Sequence, residues 1–162
     1  MLLVNIVVVY ENLTYRVIDL TYDEGYWIDI YKKNADPETF DKEWLIELMG
    51  KNEASMIKDP FLDLDKLSPS EAQLTKRDKN WDFMQLVDRN PLRLQKPSWS
   101  KLYGYVQNNS KTSVSLKHFY KLLRQYLQRG QSKNSLLPDF HKQGAPNSTR
   151  KVTSKKLAAL EW

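Results

Sequence analysis

The chain has 162 residues, 41% of them hydrophobic, with five Trp and nine Tyr. That is enough apolar material for one ordinary domain or two small ones, which excludes a disordered chain. The absence of cysteine excludes disulfides and thiolate metal sites, and two histidines, His118 and His141, leave little material for a metal cluster. The net charge of +5 conceals a division: residues 1–66 carry 14 acids against 7 bases, whereas residues 67–162 carry 18 bases against 6 acids and would face a polyanion.

The first run, LLVNIVVVY, has neither a basic leader nor a small-residue cleavage site and is too short to span a bilayer, so it reads as a strand. Residues 3–10 and 14–22 are β-rich, with a turn at Glu11-Asn12-Leu13. Asp23-Glu24-Gly25 signals a second hairpin, with YWIDIY (26–31) as the third strand. Alternation of Tyr15, Val17, Asp19 and Thr21 against Arg16, Ile18, Leu20 and Tyr22 buries at least one face. Asp36-Pro37 reads as a helix start, giving PETFDKEWLIELMG as a helix or helix-then-strand ended by Gly50, and ASMIKD (54–59) as a closing strand. A β unit this small suits an SH3-like barrel, which removes sheet edges (residues 1–58). Its acidic surface reads as a solvated face.

Residues 59–69, with two prolines and local acids, read as a linker. Ser70 caps a long helix, SEAQLTKRDKNWDFMQLVDRN, with Leu74, Trp81, Phe83, Met84 and Val87 as core candidates; Asn90-Pro91 ends it. After PLRLQKP, Ser98 is placed to cap WSKLYGYVQNN, whose apolar members are Trp99, Leu102, Tyr103 and Val106. The last helix, within TSVSLKHFYKLLRQYLQRG, puts Phe119, Leu122, Leu123 and Tyr126 on one side and Lys117, Lys121, Arg124 and Gln128 on the other. Ser113 or Ser115 caps its start and Gly130 stops it. Long helix, short helix, polar turn and basic helix give a helix-turn-helix domain over residues 70–130. The fold class is therefore α+β: a small barrel, then an all-α domain. Residues 131–162 read as a basic, extended linker towards a further domain.

The sequence lacks a phosphate-binding glycine loop, a nucleophile elbow and a zinc-protease motif, so the chain reads as a binder, with no catalytic or metal residue assigned. A helix of about 12 Å diameter fits the major groove of B-DNA. Ser115, Lys117, His118 and Lys121 would lie nearest the base edges, with Ser113 beside them, while Arg124 and Gln128 would meet phosphates. Lys101, Lys111 and Asn109 are placed to hold the backbone, and Arg150 and Lys151, with Lys155 and Lys156, to follow the duplex. Two other readings remain at this point: a helix-turn-helix transcriptional regulator, and a protein-interaction module working through the acidic barrel.

The run from Tyr120 to Asn147 closely resembles the TnsB transposase subunit of Tn-seven-like transposons. It does so through Tyr120, Lys121, Leu122, Leu123, Arg124, Tyr126, Gln128, Arg129, Gly130, Gln131, Asn134, Leu137, Pro138, Asp139 and Gly144-Ala145-Pro146. A looser likeness runs upstream through Lys58-Asp59-Pro60 and Lys76-Arg77. Lys121 and Arg124 match the family's basic helix positions, whereas Leu116 and Lys117 depart from them. The resemblance implies an N-terminal region that binds repeated sites in double-stranded DNA at transposon ends. Other copies of itself and other transposition proteins of the element would be its partners. It also implies a bacterial, cytoplasmic, nucleoid-associated protein with no membrane contact. In the family a separate RNase-H-like domain cuts and joins DNA with Mg²⁺, so the fragment itself is expected to be non-catalytic and free of cofactors.

Overall fold

The computed structural model describes residues 2–62 and 68–138. Five antiparallel strands come first: β1 (Val7–Tyr10), β2 (Leu13–Leu20), β3 (Glu24–Asp29), β4 (Glu38–Asp41) and β5 (Ala54–Ile57). Their spatial order is β4-β3-β2-β1-β5. Helix α1 (Lys42–Gly50) carries the chain from one edge of this sheet to the other.

The β1–β2 hairpin closes where expected, because Glu11 and Asn12 both take positive φ, 50° and 67°, in a two-residue turn. Helix formation begins later than Asp36-Pro37 suggested. Glu38–Asp41 pairs with β3 as an edge strand, and Asp41 caps α1 by accepting from the Trp44 amide at 3.0 Å. The Phe40 ring lies over Gly25 on the neighbouring strand, and this cross-strand packing overrides the helix signal.

Both faces of the sheet are covered. One face turns Val8, Tyr15, Val17, Trp27 and Phe40 onto Leu45 of α1 and Ala54. Tyr15 stacks on Trp27, with ring centroids 4.1 Å apart. A bulge between Val17 and Asp19 interrupts the β2–β3 register at Ile18. Ile18, together with Ile28 and Ala35, enters a second core built mainly by helices.

Those helices are α2 (Glu71–Met84), α3 (Trp99–Asn109) and α4 (Leu116–Arg129). Ser70 caps α2 through a full capping box with Gln73. Helix α2 ends at Met84, earlier than the Asn90-Pro91 signal; turns lead to a 3₁₀ segment at Pro91–Leu94, which Asn90 caps by accepting from the Leu92 amide at 3.0 Å. Ser98 makes no side-chain cap. The start of α3 is fixed instead by Trp99, fully buried, whose Nε1 donates to the Arg93 carbonyl at 2.9 Å.

Helix α4 starts at Ser115, which accepts from the His118 amide at 3.2 Å, and stops at left-handed Gly130, φ 116°. Phe119, Leu122, Leu123, Tyr126 and Leu127 are buried along it. The chain does not become a free linker at residue 131. Lys133–Leu136 forms a 3₁₀ turn, and Leu136 and Leu137 are buried against the helices. Gln125 of α4 donates to the Ser135 and Leu137 carbonyls at 2.9 and 3.0 Å.

Barrel and helices therefore share a core instead of standing apart. Arg16, its side chain only 1% exposed, forms a bidentate pair with Asp59 and donates to the Gln128 carbonyl at 3.0 Å. Arg93 and Gln131 reach back to the Ile18 carbonyl at 3.5 and 3.0 Å.

Candidate nucleic-acid interface

The turn between α3 and α4 is held from both sides. Tyr103 donates its hydroxyl to the Val114 carbonyl at 2.7 Å, and the Val114 amide donates to Gln107 at 3.2 Å. Thr112 donates to the Asp82 carboxylate of α2 at 2.5 Å. With Val114 and Phe119 buried and Ser115 capping, the tip of α4 is anchored and leaves Ser115, Leu116 and Lys117 exposed.

Of the anticipated DNA contacts, Ser113, Ser115, Lys117 and Lys121 are exposed around this tip, and His118 is partly buried beside them. Lys101 and Lys111 are exposed on α3 and the turn. Burial, with the Lys121 and Lys76 charges adding to it, pushes the His118 imidazole below its ordinary pKa. Arg150 and Lys151 lie outside the described residues.

Arg124 and Gln128 do not stand free on the basic face. Arg124 donates Nε to the Ala35 carbonyl at 2.8 Å and Nη2 to the Asp36 carboxylate at 2.9 Å, and its guanidinium lies 5.2 Å from the Trp99 ring centre. Gln128 donates to the Asp29 and Lys32 carbonyls at 2.9 and 2.8 Å. The loop between β3 and β4 thus sits on the C-terminal half of α4 and takes both side chains into the domain junction. A polar stripe on one helix cannot disclose partners roughly 90 residues away in sequence.

Two neighbouring cations were not assigned from sequence. Lys76 and Lys79 of α2 line a groove of about 710 Å³ with Thr75, Asn80, Ser113 and His118. Asn80 is 7% exposed there. The one sequence signal was the Lys76-Arg77 pair. Arg77 itself turns away, to Asp78 and Asn134. A second groove, of about 700 Å³, runs over α4 between Lys117, Lys121 and Gln128, and Lys33 and Asn34 of the β3–β4 loop line it as well.

Among the described residues, no group of three or more His, Cys, Asp or Glu side chains is placed to hold a metal ion. Among the same residues, no helix is long and apolar enough to cross a membrane.

Residues 1–60 match the family model of the TnsB N-terminal SH3-like domain, and residues 77–140 that of the TnsB second domain. The Escherichia coli "Transposon Tn7 transposition protein TnsB" is 28% identical over 152 residues, covering 93% of this chain. The chain spans 21% of the length of that curated relative.

Proposed function

We propose that this chain, whose residues 1–60 and 77–140 match the TnsB N-terminal and second domains, is the corresponding region of a TnsB-like protein and binds the ends of its transposon as duplex DNA, reading sequence with the first turns of α4. The observation that carries this reading is the tip of α4. Lys117 and Lys121 are exposed there without an acidic partner among the described residues, on a helix whose start is capped and whose opposite face is core.

Lysine ammonium groups at that tip donate to guanine O6 and N7, the Ser115 hydroxyl can pair with a base edge, and the His118 imidazole can meet a base edge or a phosphate. Lys76, Lys79, Lys101 and Lys111 supply sequence-independent contacts to phosphates, which fix the register of the helix in the groove. Copies of the chain would occupy repeated sites at one end, together with other transposition proteins of the same element. DNA cutting and joining is assigned to no residue of this chain, since neither matched segment is the family's catalytic domain.

Fluorescence anisotropy on a labelled duplex from the element's own end, set against a scrambled duplex across a salt series, tests the proposal. A preference of about tenfold or more that survives about 150 mM salt is expected, with a log–log slope near −4 to −5 for about five phosphate contacts. Equal, salt-sensitive binding to both duplexes would overturn sequence reading by α4.

A further inference from the structure

We infer that the SH3-like domain is itself part of the DNA interface. Its β3–β4 loop would clamp the phosphate backbone beside α4 through Lys32, Lys33 and Asn34. This rests on the reading of α4 as the groove-entering helix.

Lys32-Lys33 is the one adjacent basic pair in the acid-rich first 66 residues. Three other bases of that stretch are committed elsewhere: Arg16 is buried, Lys42 donates to the Thr21 carbonyl, and Lys51 pairs with Glu47; Lys58 is exposed but stands apart from the β3–β4 loop in sequence. Lys32 and Lys33 are exposed, and neither ammonium is engaged among the described residues. Asp36, the nearest loop acid, is already taken by Arg124.

The placement of the loop is fixed rather than incidental. Asp29 Oδ1 accepts from the Tyr31 and Lys32 amides at 2.9 and 3.1 Å, closing the turn. Gln128 then holds the Lys32 carbonyl and Arg124 the Ala35 carbonyl, so two α4 side chains bracket Lys33 and Asn34. Arg124 and Gln128 lie three and seven residues beyond Lys121, about 4.5 and 10.5 Å along the axis. The major groove is about 12 Å wide, so with Lys121 at the base edges the loop falls at the level of the flanking phosphates. Lys33, Asn34, Lys117 and Lys121 line one continuous groove, as a single curved polyanion would require. On this reading Arg124 and Gln128 are positioning residues, aiming the loop at the DNA.

Because the chain contains no cysteine, Lys33→Cys provides a single thiol for an iron chelate that cuts nearby sugars. Cuts confined to a few nucleotides at the margin of the site are expected from position 33, with Lys117→Cys cutting within it. In a Gln128→Ala background the cuts from position 33 should broaden while those from position 117 stay in place. Lys32→Ala with Lys33→Ala should weaken end and scrambled duplexes equally, by roughly three- to tenfold at low salt, and flatten the salt slope by about 1 to 2. Unlocalised cutting from position 33, or unchanged affinity and slope while Lys121→Ala still weakens the end duplex, would overturn the clamp and leave the helix reading intact. Loss of the Lys121→Ala effect would instead overturn the helix reading, and the cleavage map would still decide the loop on its own.

Discussion

The Arg124 guanidinium of α4 meets the Asp36 carboxylate of the β3–β4 loop at 2.9 Å, across the junction between sheet and helices. Its Nε bond to the Ala35 carbonyl and its stacking on Trp99 complete the anchorage, and its side chain is only 16% exposed. Arg124→Ala is therefore expected to lower folding stability by about 2 kcal/mol, because it removes a charge-assisted hydrogen bond and a cation–π interaction at once. Lys121→Ala, one turn earlier and exposed, should stay within about 0.5 kcal/mol. Urea denaturation of both variants separates a junction residue from a surface one; equal losses would count against the junction role.

Arg16 sets a harsher test. Its buried guanidinium is balanced by Asp59, which is 25% exposed, and by the Asn5 and Gln128 carbonyls. Removing the acid strands a buried charge, so Asp59→Ala should cost about 3–5 kcal/mol. Arg16→Met combined with Asp59→Leu should recover much of that loss, because the pair is then replaced by apolar packing. A double variant as unstable as Asp59→Ala would show that the carbonyl contacts matter more than the charge pair.

Gly25 sits in β3 directly under the Phe40 ring, and a Cβ there would collide with three of its carbons. Gly25→Ala should destabilise the protein by about 1–3 kcal/mol through overpacking. Adding Phe40→Ala should give a non-additive result, since the collision disappears with the ring. Additive losses in a double-mutant cycle would mean that the backbone, not the ring, makes the glycine necessary.

What the sequence disclosed and what it hid divide along range. Some caps and stops were legible because they act within four residues: Ser70 with Gln73, Ser115 (with Ser113 as the alternative) with the His118 amide, and Gly130 in its left-handed conformation; the Ser98 cap and the Asn90-Pro91 stop were not realised as read. The core stripe of α4 was legible because helical period places Phe119, Leu122, Leu123 and Tyr126 together. Edge strand β4 was not, because four residues that pair with β3 carry no period of their own and a stronger local signal competed. Leu136 and Leu137 were missed for a similar reason: two apolar residues among serines and a proline look like a loop until the helices cover them. On α4, sequence separated the exposed Lys117 and Lys121 correctly from the core. It could not show that Arg124 and Gln128, on the same stripe, are covered by a loop from the first domain.

Base-reading and phosphate-holding residues should part company in binding. Lys121→Ala should weaken the end duplex by about 1–3 kcal/mol, more than it weakens a scrambled one. Lys76→Ala, on α2 at the side of the groove, should weaken both alike and make the salt dependence shallower by about 1. Anisotropy titrations on the two duplexes read both quantities. Equal losses for Lys121→Ala would move that residue to the phosphate-holding class.

His118 makes binding and stability respond to pH in opposite directions. In the free protein, burial and the Lys121 and Lys76 charges hold its pKa down, and Lys79, Lys117 and Glu71 line the grooves around it. The unfolded chain, with a histidine pKa of about 6.5, then takes up this proton more readily than the folded one. The associated stability is present above about pH 6.5 and is lost as pH falls through that value towards the folded pKa. Phosphates packed against the same imidazole would favour its charged form, so affinity for duplex DNA should rise between about pH 7.5 and 5.5, with proton uptake on binding. His118→Gln should flatten both trends, leaving whatever His141 contributes unchanged in the two proteins. Matching pH profiles for the parent chain and His118→Gln, in melting and in anisotropy, would remove His118 from the interface.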